Sequence, residues 1–174
     1  MRHIFLTGER QVGKTTIIRD FLSMSGLTAD GLITFWETGD DFGGRLYISP
    51  FSSGSPHEEK YLIVDRDKRN RGLPEEVERV FDVHGCDILA NSGKCDVIVL
   101  DELGFFESNA ADFHKSVMRL ISGDVPILGV IKPMQTEFLD SIRAHPDVEV
   151  WEVTVENRNA VLERLLKQDR PWGK

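Results

Sequence analysis

Gly8-Glu9-Arg10-Gln11-Val12-Gly13-Lys14-Thr15 decides how this chain is read. The stretch fits G-x-x-x-x-G-K-[ST]. The apolar run His3-Ile4-Phe5-Leu6-Thr7 precedes it, and Thr16-Ile17-Ile18-Arg19-Asp20-Phe21-Leu22 follows with helical spacing of its apolar residues. Strand, glycine loop and helix, in that order, are the setting of a phosphate-binding loop. Glycines let the backbone bend so that successive N–H groups point inward at phosphate oxygens. Lys14 then reaches the β- and γ-phosphates, and the Thr15 hydroxyl sits on Mg²⁺. Gly8 to Thr16 is therefore the expected nucleotide-binding segment. The competing possibility is an ordinary strand-to-helix turn.

A chain of 174 residues suits one domain, expected to span 1–174, with a good core. Lys plus Arg number 21 against 29 Asp plus Glu, a net charge of −8. That acidity argues against nucleic acid as the partner, since phosphate affinity comes mostly from clustered Lys and Arg. Apolar runs such as Val97-Ile98-Val99-Leu100 are far too short to span a bilayer. The N-terminus enters the first strand directly, with no secretion-type segment, so a cytoplasmic protein is expected. Cys86 and Cys95 form no CxxC and have no close His, which argues for reduced thiols rather than a zinc site or disulfide.

Gly31 to Glu37 and Gly44 to Ser49 are short, β-branched and aromatic-rich, and Thr38-Gly39-Asp40-Asp41-Phe42-Gly43 joins them as a hairpin. Tyr61 to Val64 is a further strand, expected on the same side sheet. Pro50 to Glu59 has the chemistry of a loop. Asp65 to Gly72 is the densest cationic stretch, and Glu75 to Ala90 is expected to be partly helical. Val97 to Leu100 and Pro126 to Ile131 have the look of buried parallel strands. Helical spacing predicts helices over Glu107 to Ile121, Glu137 to Arg143 and Asn157 to Gln168, with a strand over Val148 to Val153. Arg170 to Lys174 reads as a tail. The alternation predicts an α/β fold, a three-layer sandwich with a mostly parallel central sheet and an early antiparallel hairpin. Ligand is expected at the carboxyl ends of the strands.

Asp101-Glu102 at the end of Val97–Leu100 supplies what a phosphate loop needs opposite it. Asp101 emerges at the carboxyl edge of the sheet, where it can hold Mg²⁺. Glu102, one residue on, is placed to polarise an attacking water. The alternatives are a solvated pair or a cap on the following helix. Charge building up between the β- and γ-phosphates also calls for an arginine. Arg10, Arg45, Arg66, Arg69, Arg71 and Arg158 are all candidates, and sequence logic does not choose among them.

Four segments give the chain a resemblance to a known family, the nucleoside-triphosphatases of the thermophilic and archaeal type, which include the human cancer-related nucleoside-triphosphatase. They are Arg2 to Gly8 with Gly13 to Thr16; Val97-Ile98-Val99-Leu100-Asp101-Glu102-Leu103-Gly104; Ile127-Leu128-Gly129-Val130-Ile131; and Val153-Thr154-Val155-Glu156-Asn157-Arg158-Asn159. The last is the most discriminating, because phosphate-loop proteins in general lack it. The resemblance implies a P-loop NTPase fold and Mg²⁺-dependent hydrolysis of nucleoside triphosphates (ATP, GTP or others) with weak preference among bases. It makes Lys14 the phosphate clamp, Thr15 and Asp101 the Mg²⁺ holders and Glu102 the water activator. It also brings Asn157 and Arg158 toward the nucleotide, and Arg45 through its Gly-Arg hairpin.

The chain departs from the family pattern in two places. Glu9-Arg10-Gln11 stands where family loops carry Pro-Pro-Gly, putting side chains and a negative charge beside phosphate. Phe105-Phe106-Glu107 replaces the usual Lys-Met-Glu. The middle, Ser49 to Asp82, aligns least well. Hydrolysis of nucleoside triphosphates leads. A small-molecule or nucleoside kinase is the alternative, with Phe105-Phe106 as an apolar wall for an acceptor. A nucleotide-dependent binding switch is the third possibility, slightly favoured by the altered loop.

Overall fold

In the computed structural model, which describes residues 2–38, 44–51, 59–66, 73–92 and 94–168, β1 (His3–Thr7) buries Ile4 and Leu6 on one side of a sheet and Phe5 on the other. That period of two is what any strand imposes, and both sides must then be covered. The hairpin connection at 39–43, loop residues 52–58, cationic residues 67–72 with Arg69 and Arg71, and the tail from 169 lie outside the described residues.

After β1 come α1 (Lys14–Ser25), β2 (Ala29–Thr38), β3 (Gly44–Pro50) and β4 (Tyr61–Asp65). Next, α2 (Pro74–Val80) passes through a π-helical turn (Phe81–Gly85) into α3 (Cys86–Asn91). The chain continues through β5 (Val97–Leu103), α4 (Ala111–Ile121), β6 (Ile127–Ile131), α5 (Glu137–Ala144), β7 (Val148–Glu152) and α6 (Arg158–Leu166). The seven strands form one sheet in the order β4-β3-β2-β5-β6-β1-β7. β2, β5, β6, β1 and β7 run parallel, and β3 lies antiparallel to both β2 and β4. The hairpin and β4 therefore extend the main sheet.

Ile4, Leu6, Val97, Val99, Leu128 and Val130 pack with Ile17, Ile18, Phe21 and Leu22 of α1 and with Val161 and Leu165 of α6. Phe5, Ile98, Leu100, Ile127 and Ile131 face the other way, against Phe81, Phe113, Val117, Phe138 and Leu139. Helices thus cover both faces, in three layers. Each buried Leu, Ile or Val is worth roughly 1.5–3 kcal/mol, so the near-continuous apolar strands hold the layers together.

Two boundaries differ from the expectation by more than two residues. β5 continues through Asp101 and Glu102 to Leu103, with a bulge against β6 between Leu100 and Leu103. α4 begins at Ala111 rather than at Glu107. Its first free N–H groups are capped from another element: Asp112 N and Phe113 N each donate to Asp82 Oδ1 at 3.0 Å. A cap borrowed from a residue distant in sequence leaves no local start signal.

Candidate functional site

β1 delivers Gly8 to the carboxyl edge of the sheet, and the chain turns there against the end of β7. Val153 N donates to Thr7 O at 2.8 Å. Gly8 has φ +133°, and a Cβ on it would stand 2.2 Å from Val153 O. Only glycine fits such an approach. Beyond it, Gln11 holds φ +62°, a left-handed conformation that costs a non-glycine residue. Val12 is buried in the α1-side core, whereas Glu9 and Arg10 are exposed.

Lys14 opens α1 and folds its side chain back over the loop. Its Nζ donates to Gly8 O at 2.7 Å and to Glu9 O at 2.6 Å. Burial lowers its pKa, and the nearby Glu102, Asp101 and Glu9 pull the other way.

Across the cleft, Asp101 is almost fully buried, and its Oδ1 has no hydrogen-bond partner. Burial pushes its pKa up to about 6, against a hydrogen bond from Thr15 that favours the charged form. Glu102 sits on the bulge with φ +71°. Strain of this kind at a non-glycine residue concentrates at functional sites. Thr34 Oγ1 donates to Glu102 O at 3.3 Å, fixing the bulge from β2. Gln11, Gly13, Lys14, Thr15, Thr16, Asp101, Glu102 and Val130 line one cleft of about 220 Å³. The residues read from two separate stretches of sequence therefore meet.

The orphaned Asp101 oxygen beside the Thr15 hydroxyl suits a hard divalent cation. Among the described residues no group of three or more His, Cys, Asp or Glu could hold a metal by itself. An ion here would take few protein oxygens and complete its shell with phosphate and water. That is the habit of Mg²⁺.

The arginine candidates separate. Arg158, the first residue of α6, lies against Gly13. A second cleft of about 240 Å³ beside the loop is lined by Gly13, Thr16, Ile17, Asp20, Arg158, Asn159 and Leu162. Asn157 is turned into its own bend: Oδ1 accepts from Thr154 N at 2.8 Å and Nδ2 donates to Glu152 O at 3.0 Å. It shapes the entry to α6 that carries Arg158. Arg45 Nε donates to the buried Asp65 at 3.1 Å, within the β3–β4 pair, and lines neither cleft. Arg66 lies 4.1 Å over the Trp36 ring.

Lys132 carries no sequence motif; it follows β6, and its charge acts on Lys14. The rule that ligands gather at carboxyl ends of strands marks it out. Glu107, likewise unmarked by spacing alone, is buried and accepts from Gly104 N.

No described helix is long and apolar enough to cross a membrane. The family model described as NTPase matches residues 3–166. The human cancer-related nucleoside-triphosphatase is 31% identical, covering 95% of each chain. The nucleoside-triphosphatase THEP1 of Natranaerobius thermophilus is 26% identical, again over 95% of each chain. The solution structure of a human cancer-related nucleoside triphosphatase superposes with a TM-score of 0.69 at 26% identity, covering 95% of this chain and 96% of that one.

Proposed function

The chain belongs to the NTPase family, and on that premise we propose that it is a Mg²⁺-dependent hydrolase cutting nucleoside triphosphates to diphosphate and phosphate. The observation that carries this reading is the single cleft in which Lys14 and Thr15 of the phosphate loop face Asp101 and Glu102.

The N–H groups of the loop and the Lys14 ammonium hold the β- and γ-phosphates. Lys14 exchanges the carbonyls of Gly8 and Glu9 for phosphate oxygens as nucleotide enters. Thr15 and Asp101 would hold Mg²⁺, which when bound supplies charge neutralisation at the phosphates. Glu102 takes a proton from a water lined up with the γ-phosphorus. Arg158 lies beside the loop from the α6 side, where it can offset charge on the triphosphate. The catalytic gain comes mainly from positioning and electrostatics. The second cleft, between α1 and α6, offers volume for the sugar or base. Its mixture of Ile17 and Leu162 with Asp20 and Asn159 suits broad base preference.

Phe105 favours a second reading, transfer to an acceptor. It is 63% exposed just after the acidic pair, with Phe106 edge-on to it. One assay separates the two. The protein is incubated with Mg²⁺ and each common nucleoside triphosphate, without acceptor, and inorganic phosphate is measured beside Glu102→Gln. Release by the wild type, cut about 100-fold in the variant, supports the hydrolase. Tight binding with almost no release moves the assignment to a kinase or a switch.

A further inference from the structure

Lys132 directly follows β6 at the carboxyl edge of the sheet, next to the cleft that Val130 lines and outside the lining itself. β6 lies between β5 and β1. Leu6 is level with Val130 and Leu103 with Ile131, so one step past β6 brings the chain between Gly8 and Gly104. Lys132 N donates to Leu103 O at 2.9 Å, and Arg143 Nη2 donates to Lys132 O at 2.9 Å. Its main chain is held from both the sheet and α5.

The side chain crosses Gly104. A Cβ on that glycine would stand 2.6 Å from Lys132 Cδ, 3.1 Å from Cε and 3.2 Å from Cγ. The glycine that closes Asp101-Glu102-Leu103-Gly104 thus leaves the room through which the lysine stem passes. Packed methylenes with a charged head beyond them are the usual arrangement for lysine at the rim of a site. The head is close enough to Lys14 to disfavour its protonation, and close enough to Glu107 to favour that residue's ionised form. Two ammonium groups near enough to act on each other repel, and an anion placed between them would relieve that repulsion.

We propose that Lys132 is a second phosphate-facing cation of this cleft, directed at the terminal phosphate of a nucleoside triphosphate. The proposal rests on the hydrolase reading. It supplies from β6 the positive charge that Phe105 does not supply from the turn after β5. The structural alternative is a lysine that only balances the buried Glu107. That role makes no distinction between nucleotides.

The test compares wild type, Lys132→Met, Lys132→Arg and Gly104→Ala, with folding checked by thermal melting. Calorimetry with Mg²⁺ gives the affinity for a non-hydrolysable triphosphate analogue and for the matching diphosphate. Lys132→Met keeps the stem and loses the charge, and should weaken the triphosphate analogue about 10-fold while changing the diphosphate less than about 2-fold. Lys132→Arg should restore most of that loss. Gly104→Ala, which pushes the stem aside, should reproduce it even if Lys132→Met does not fold. Equal weakening of both nucleotides, or of neither, overturns the proposal. A wild type that binds neither nucleotide overturns the hydrolase reading and this proposal with it. A wild type that binds both beside an unchanged Lys132→Met overturns this one alone.

Discussion

Arg158 lies across Gly13: its Cδ is 3.7 Å and its Nη1 3.8 Å from the place a Cβ would take on that glycine. The residues are distant in sequence and meet because α1 and α6 pack side by side. A guanidinium there can give charge-assisted hydrogen bonds to phosphate oxygens that backbone N–H groups cannot match. Arg158→Gln is expected to lower kcat/KM for triphosphate by about 100-fold. Arg158 is exposed, so the melting temperature should hardly move. Phosphate-release kinetics with a thermal melt check both. An unchanged rate would leave Arg158 a surface side chain.

Lys14 donates to the loop carbonyls of Gly8 and Glu9, and in the proposed function it exchanges them for phosphate oxygens. Lys14→Ala removes the charge from the centre of the loop. Triphosphate affinity should fall by about 100-fold, the loss of one or two charge-assisted hydrogen bonds. Calorimetry reads this directly. Near-normal affinity would mean that the loop does not cradle phosphate.

How far the sequence reveals such contacts depends on how local they are. The phosphate loop is legible because its strand, glycines, lysine and helix are contiguous. Asp101 and Glu102 are legible because four apolar residues announce a buried strand ending at them. The bulge that turns Glu102 is not, since it arises from the pairing of β5 with β6. Lys132 has no motif of its own and gains meaning only from strand order. Asn157 shows the opposite case, a motif residue whose side chain is taken up in the turn that aims its neighbour.

Gln11 occupies a left-handed conformation in the loop, with φ +62°. That costs an L-residue about 1–2 kcal/mol, whereas glycine adopts it freely but starts from a more disordered unfolded chain. The net expectation for Gln11→Gly is a gain of up to about 1 kcal/mol. Urea unfolding of the two proteins measures it. A loss of stability instead would mean that the Gln11 side chain makes contacts worth more than the strain.

Glu107 carries a pH dependence that comes from its burial. The residue is 3% exposed, and burial pushes its pKa up to about 7. The hydrogen bond from Gly104 N and the charge of Lys132 oppose this shift, and Glu102 adds to it. His114 Nε2 meets the Glu107 backbone oxygen at 2.6 Å rather than the carboxylate. With the folded pKa above the unfolded one, near 4.5, this group's stabilising contribution is complete below pH 4.5 and is lost as pH rises through about 7. The loss amounts to about 3 kcal/mol once the carboxyl is fully ionised. Glu107→Gln keeps an oxygen for Gly104 N and cannot ionise. Its stability relative to wild type should therefore climb by about 3 kcal/mol between pH 5 and pH 8.5, read by urea unfolding at each pH. Other titrating groups are common to both proteins and cancel in the difference. A flat difference would mean that water reaches the carboxylate and that the turn from Gly104 to Ala110 opens in solution.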